Sequence, residues 1–126
     1  MKVKELYYLV KLNNQKKLVI VKNGNFYYTY DEDALMLWNI FKYKYSNNKI
    51  GFPKNILFQV INKINRSGIN IIVVKSKNEI YSYNAILKNK YKEELETSKI
   101  NYEIKEKINY IKSLIDKKLI ELIGIA

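Results

Sequence analysis

The spacing of apolar positions changes several times along the chain, and each change marks a boundary between elements. In "VKELYYLVKL" (residues 3–12) Leu6, Leu9 and Val10 share one side of a helix, which predicts a short amphipathic segment. "NNQ" (13–15) breaks it. The β-branched run "KKLVIVK" (16–22) predicts a strand, and "NFYYTY" (25–30) a returning strand. Between them Asn23 and Gly24 both tolerate positive φ, a strong hairpin signal. Alternation then places Phe26 and Tyr28 on one face of the second strand and Tyr27 on the other.

The period returns to that of a helix in "DEDALMLWNIFKYKY" (31–45), with Ala34, Leu37, Trp38 and Phe41 as its apolar face. Asp31 is the expected N-cap, and Glu32 and Asp33 in the first turn suit the helix dipole. "SNNK" (46–49) reads as a loop and "IGFP" as the lead into the next helix, with Pro53 in its first turn. Ile56, Leu57, Val60, Ile61 and Ile64 line that helix, and Gly68 ends it. "INIIVVK" (69–75) reads as a buried strand, "KN" (77–78) as a turn, and "EIYSY" (79–83) as a short polar strand.

From Asn84 onward the pattern is helical throughout. Leu87, Tyr91 and Leu95 are followed by Ile104, Ile108, Ile111, Ile115 and Leu122, spaced three, four or seven apart. Ser98 reads as a break or a surface position. The stripe is expected to pack on the sheet, with pairing to another chain through a coiled coil as the alternative. The fold class is therefore α/β: a small mixed sheet of about four strands with helices packed against it. Two parts are expected, a basic α/β module at 1–82 and a helical C-terminal extension at 83–126.

Composition narrows the function. The chain has 126 residues, 48% apolar and 28% charged, which suits one globular domain. No apolar run approaches the roughly 18–20 residues of a membrane span, and "MKVKELYYLV" has no apolar core followed by small residues. A cytoplasmic protein is the simplest expectation. Cysteine and histidine are both absent, which removes the commonest general base, the best nucleophile and the usual zinc ligands. No cofactor, metal or catalytic residue is expected.

Charge points toward an acidic partner. The net charge is +11, and nucleic acid is the commonest partner of so basic a domain. Residues 1–82 carry 14 basic and 5 acidic side chains, a net of +9, against 9 and 7, a net of +2, for 83–126. The basic character thus belongs to the N-terminal two thirds. Arg66 is the only arginine among 23 basic residues, which argues against reading base edges with bidentate forks.

The order of these segments carries a resemblance. "GNFYY" (24–28), "DEDA" (31–34), "IGFP" (50–53) and "SGINIIVV" (67–74) follow one another as in the N-terminal mismatch-recognition domain of the MutS family, over roughly residues 3–76. That domain has a Gly-Asp-Phe-Tyr-Glu turn before an acid-started helix, then a Gly-apolar-Pro segment before a helix ending in Gly and a strand. The resemblance implies that Phe26 stands where the family's Phe stacks on a mispaired or unpaired base. Tyr28 stands where the family's Glu hydrogen-bonds that base, and Asn25 replaces the family's Asp. Both changes remove negative charge beside a DNA surface.

The leading expectation is a non-enzymatic nucleic-acid-binding module whose partner is DNA. Phe26 is its wedge, Tyr28 and Asn25 assist, and Lys16, Lys17 and Lys22 contact phosphate. Its rival is a protein-protein interaction module that keeps the fold without binding DNA and uses the C-terminal helix to form a homodimer or to dock on a larger assembly. A carboxylate-metal nuclease ranks last, because the acids gather at a helix start and along helix faces.

Overall fold

A computed structural model of the protein describes residues 2–124. The chain runs α1 (Val3–Leu12), β1 (Leu18–Asn23), β2 (Phe26–Tyr30), α2 (Asp31–Phe41), β3 (Lys49–Pro53), a 3₁₀ turn (Lys54–Ile56), α3 (Leu57–Arg66), β4 (Ile71–Ser76), β5 (Glu79–Tyr83) and α4 (Tyr91–Gly124). The five strands form one mixed sheet in the order β3-β2-β1-β4-β5. β1 pairs parallel with β4, and the other neighbours are antiparallel.

Strand alternation splits the core into two layers. Leu18, Ile20, Tyr27, Ile71 and Val73 point to the face covered by α2, α3 and the start of α4, where Leu37, Trp38, Leu57, Ile61, Ile64, Tyr91 and Leu95 close over them. Val19, Val21, Tyr30, Ile72 and Val74 point to the other face, covered by α1 through Val3, Leu6, Tyr7 and Val10. β1 and β4 are buried on both faces, which is why their sequences are unbroken apolar runs.

Several elements depart from the sequence expectation. The sheet gains a fifth strand because "KIGFP" pairs with β2 across its whole length. Pro53 therefore ends an edge strand and precedes the 3₁₀ turn, where its missing N–H breaks no ladder. On α1 it is Tyr7, not Leu9, that is buried; Leu9 and Leu12 face solvent. Gly68, at φ +85°, does end α3. Residues 84–90 are a loop, so α4 starts seven residues later than the pattern predicts.

The acids of α2 also behave differently. The N-cap is Tyr30, with no side-chain cap bond. Asp31 adopts φ +52° and accepts a hydrogen bond from the Tyr8 hydroxyl. Glu32 is exposed and pairs with Lys99 of α4. Asp33 is completely buried and accepts from Tyr7, Tyr91, Lys11 and the Val19 amide. The three side chains leave in three directions, and among the described residues no three carboxylates converge as metal ligands.

α4 runs unbroken for 34 residues, about 51 Å. Ser98 neither breaks it nor faces water: it is buried, and its hydroxyl bonds the Glu94 carbonyl. Only the first turns pack on the body, through Tyr91, Leu95 and Ser98, with Tyr102 against Trp38 and Asn101 bonded to Asn39. Beyond them Ile104, Ile108, Ile111 and Ile115 are about half exposed (45–54%), so the stripe packs on the body at Tyr91 and Leu95 but not from Ile104 onward. No helix among the described residues is long and apolar enough to cross a membrane.

Candidate nucleic-acid interface

The β1–β2 hairpin is closed by two residues, since Asn23 pairs with Phe26. The central residues are thus Gly24 and Asn25, one position later than the Asn-Gly signal implies. Gly24 takes φ +64°, the requirement of the first position of a II′ turn, and no neighbour lies within 4 Å of the place its Cβ would occupy. The turn stands clear of the body. Asn25 is exposed, and its carbonyl accepts from the Lys54 amide, which ties the hairpin to the end of β3.

Phe26 is the first residue after this turn and is 43% exposed. It lies on the same sheet face as α1, whose cluster reaches Val21, Val74 and Tyr28 but does not include Phe26. Tyr28, half-buried, follows on the same face with its ring 6.1 Å from that of Phe26 and 25° from parallel. Tyr27 points the other way and packs flat on Phe52 in the core. The alternation read from the sequence holds, and the face it left open is uncovered at Phe26.

β3 completes the surface. Register places Pro53 beside Phe26, Gly51 beside Tyr28 and Lys49 beside Tyr30. A Cβ on Gly51 would lie 2.5 Å from the Tyr28 ring, so the ring leans across the β3 backbone where only glycine leaves room. The Lys49 ammonium stands 4.2 Å from the centre of the same ring. None of these three was expected at the site from the sequence, although Gly51 and Pro53 belong to the "IGFP" motif. "IGFP" read as a helix lead-in, and without the strand its alternation against Tyr28 was invisible.

The lysines fall into two groups. Lys22 is beside the turn, but it pairs with Tyr27 and so leans to the opposite face from Phe26. Lys16 and Lys17 precede β1 at its other end, about 20 Å from the turn along an extended strand. Their carbonyls accept from Asn89 and Lys11 respectively. Because β1 and β4 are parallel, the β4–β5 turn lies at the same sheet edge as the β1–β2 turn. The same end of the sheet carries Lys22, Lys54, Lys75 and Lys77, with Lys54 bonded to the Asn25 carbonyl and Lys75, like Lys22, on the face opposite Phe26, where it lies over Tyr81; Glu79 is the acid of the β4–β5 hairpin. Lys54, Lys75 and Lys77 were missed because their proximity is created by strand order, not by chain distance.

A glycine-led turn that holds a bare phenylalanine at a lysine-rich sheet edge matches the order of motifs noted above. A family model described as MutS domain I matches residues 2–110. The chain belongs to that family. The match extends the resemblance from residue 76 into α4, and it makes this a domain of the MutS mismatch-recognition type with the expected α/β fold. It ends before most of the exposed stripe, so Ile111, Ile115 and Leu122 lie outside the matched segment. No curated protein matches the chain.

Proposed function

We propose that this MutS domain I is a non-enzymatic nucleic-acid-binding module that engages DNA through the β1–β2 hairpin. The exposure of Phe26 carries the reading: an aromatic ring that could have been core is held in solvent beside a tight turn. Such a ring stacks on or wedges beside a base, worth about 1–3 kcal/mol. Lys54, Lys77, Lys75 and Lys22 supply phosphate contacts at the same edge, while Lys16 and Lys17 reach phosphate a strand-length away. The test is fluorescence anisotropy on matched, mismatched, bulged and single-stranded DNA at two salt concentrations, with wild type and Phe26→Ala. Binding that weakens with salt and loses about 5- to 150-fold in Phe26→Ala supports the reading. An absence of binding at low salt would sink it.

A second reading is favoured by α4. Ile104, Ile108, Ile111 and Ile115 recur four, three and four apart on a helix that projects from the body, each about half exposed. That is the a/d pattern of a coiled coil, and a second copy of this chain presents the same stripe. Light scattering behind size exclusion should give a dimer or higher oligomer that Ile108→Glu with Ile115→Glu converts to monomer. A monomeric wild type at all concentrations removes this reading and leaves the first untouched.

A further inference from the structure

We infer that Phe26 and Tyr28 together form a two-ring stacking platform, so that the site prefers nucleic acid with two or more adjacent unpaired bases over a single mispair. The inference rests on the nucleic-acid reading above and specifies its substrate. Four observations carry it. The rings are nearly parallel, on one face of one strand at positions i and i+2. Phe26 is exposed and lies outside the cluster under α1, while Tyr28 packs on the rim of that cluster and stays partly exposed. Gly51 removes the side chain that would lift the Tyr28 ring away from the sheet. Lys49, exposed and flexible, holds its cation over that ring 4.2 Å from its centre, a place a base would take as the ammonium swings off toward a phosphate.

The physical consequence differs from that of a carboxylate at position 28. A carboxylate accepts a hydrogen bond from one base and repels the flanking phosphates. Tyr28 brings no charge, and its hydroxyl has no hydrogen-bond partner among the described residues. What it offers is a second π-face 6.1 Å from the first, wider than the roughly 3.4 Å rise of stacked bases and so suited to bases that have come apart. Aromatic pairs displayed this way on a sheet take two unstacked bases irrespective of sequence. The sparse arginine agrees, since stacking needs no bidentate donor.

The experiment uses the full chain and anisotropy on duplexes bearing one mismatch or a one-, two- or three-nucleotide bulge, and on oligo(dT). Two-nucleotide bulges and oligo(dT) should bind more tightly than the single mismatch. Tyr28→Leu should lose about 5- to 150-fold on those ligands and little on matched duplex, while Tyr28→Phe retains binding. Gly51→Ala, which pushes the ring off its seat, should follow Tyr28→Leu. Equal wild-type affinity for the mismatch and the two-nucleotide bulge overturns the platform. So does an equal loss in Tyr28→Leu and Tyr28→Phe, which would assign the role to the hydroxyl. If binding persists, depends on Phe26 and ignores Tyr28, only this inference fails. If wild type binds nothing at low salt, the nucleic-acid reading fails and takes the platform with it.

Discussion

Replacing Asp33 tests whether one buried carboxylate holds four elements together. Its Oδ1 accepts from Lys11 Nζ at 2.8 Å and Tyr91 Oη at 2.6 Å; its Oδ2 accepts from Tyr7 Oη at 2.7 Å and the Val19 amide at 3.0 Å. These donors come from α1, α4 and β1, while Asp33 sits on α2. Asp33→Ala strands all four donors, and removing one partner of a buried charge pair costs about 3–5 kcal/mol. Asp33→Asn keeps the volume and one acceptor but turns an NH₂ toward two of the donors. Leaving a buried donor unsatisfied costs about 1–3 kcal/mol each. Burial pushes the Asp33 carboxyl up, against the pull of Lys11 and the two hydroxyls, so a neutral Asn recovers part of the desolvation. The Asn variant should therefore lose about 2–4 kcal/mol, less than Ala, from a total of roughly 5–15 kcal/mol. Urea unfolding followed by circular dichroism measures both, and the midpoint should fall with an unchanged slope. Lys11→Met should cost less than Asp33→Ala, because the carboxylate keeps three donors. An Asn variant within about 0.5 kcal/mol of wild type would refute the claim that this carboxylate organises the core.

Other outcomes follow from the same geometry. Gly24→Ala forces a Cβ into positive φ at the turn and should cost about 1–2 kcal/mol, read as a lower melting temperature. Burial first, then Asp33, raises the Tyr7 and Tyr91 hydroxyls far above their ordinary 10.0, and the bond to Asp31 pushes Tyr8 up to about 12. A raised folded value means that this stability is complete below pH 10 and is lost as pH rises above it. Absorbance at tyrosinate wavelengths should therefore show Tyr7 and Tyr91 ionising only with unfolding; their ionisation in the folded protein near pH 10 would contradict the buried network. Replacing Lys54 or Lys77 by Met should lower the salt slope of DNA binding by about 1 each, whereas the same change at Lys118, far along α4, should leave it unchanged.

Much of this protein was legible as pattern. The apolar runs of β1 and β4, the hairpin signal at Asn23-Gly24, the stop at Gly68 and the i, i+2 placement of Phe26 and Tyr28 all follow from local rules with periods of 2 and 3.6. The ordered motifs carried the family as well, because each is short but their sequence along the chain is specific. Local reading erred where partners are distant. "KIGFP" contains a Gly and a Pro and looks unlike a strand until β2 supplies its ladder. Asp33 reads as a helix-dipole acid because its four donors lie 14 to 58 positions away. Ser98 and the isoleucines after it carry the same helical period, yet one is buried and the others are not, because the body of the domain ends near Tyr102.

The chain alone thus determined most of its elements, its basic N-terminal part and the placement of Phe26 and Tyr28 on one face of β2. Tertiary structure decided which surfaces stay open. It brought Lys54, Lys75 and Lys77 to the end of the sheet that carries Phe26, set Lys16 and Lys17 at the other, and laid Tyr28 over Gly51. The division has one physical cause. Backbone propensity and amphipathic period act within a few residues, whereas exposure, charge clustering and the company of a buried carboxylate depend on strand order and on which face each helix covers.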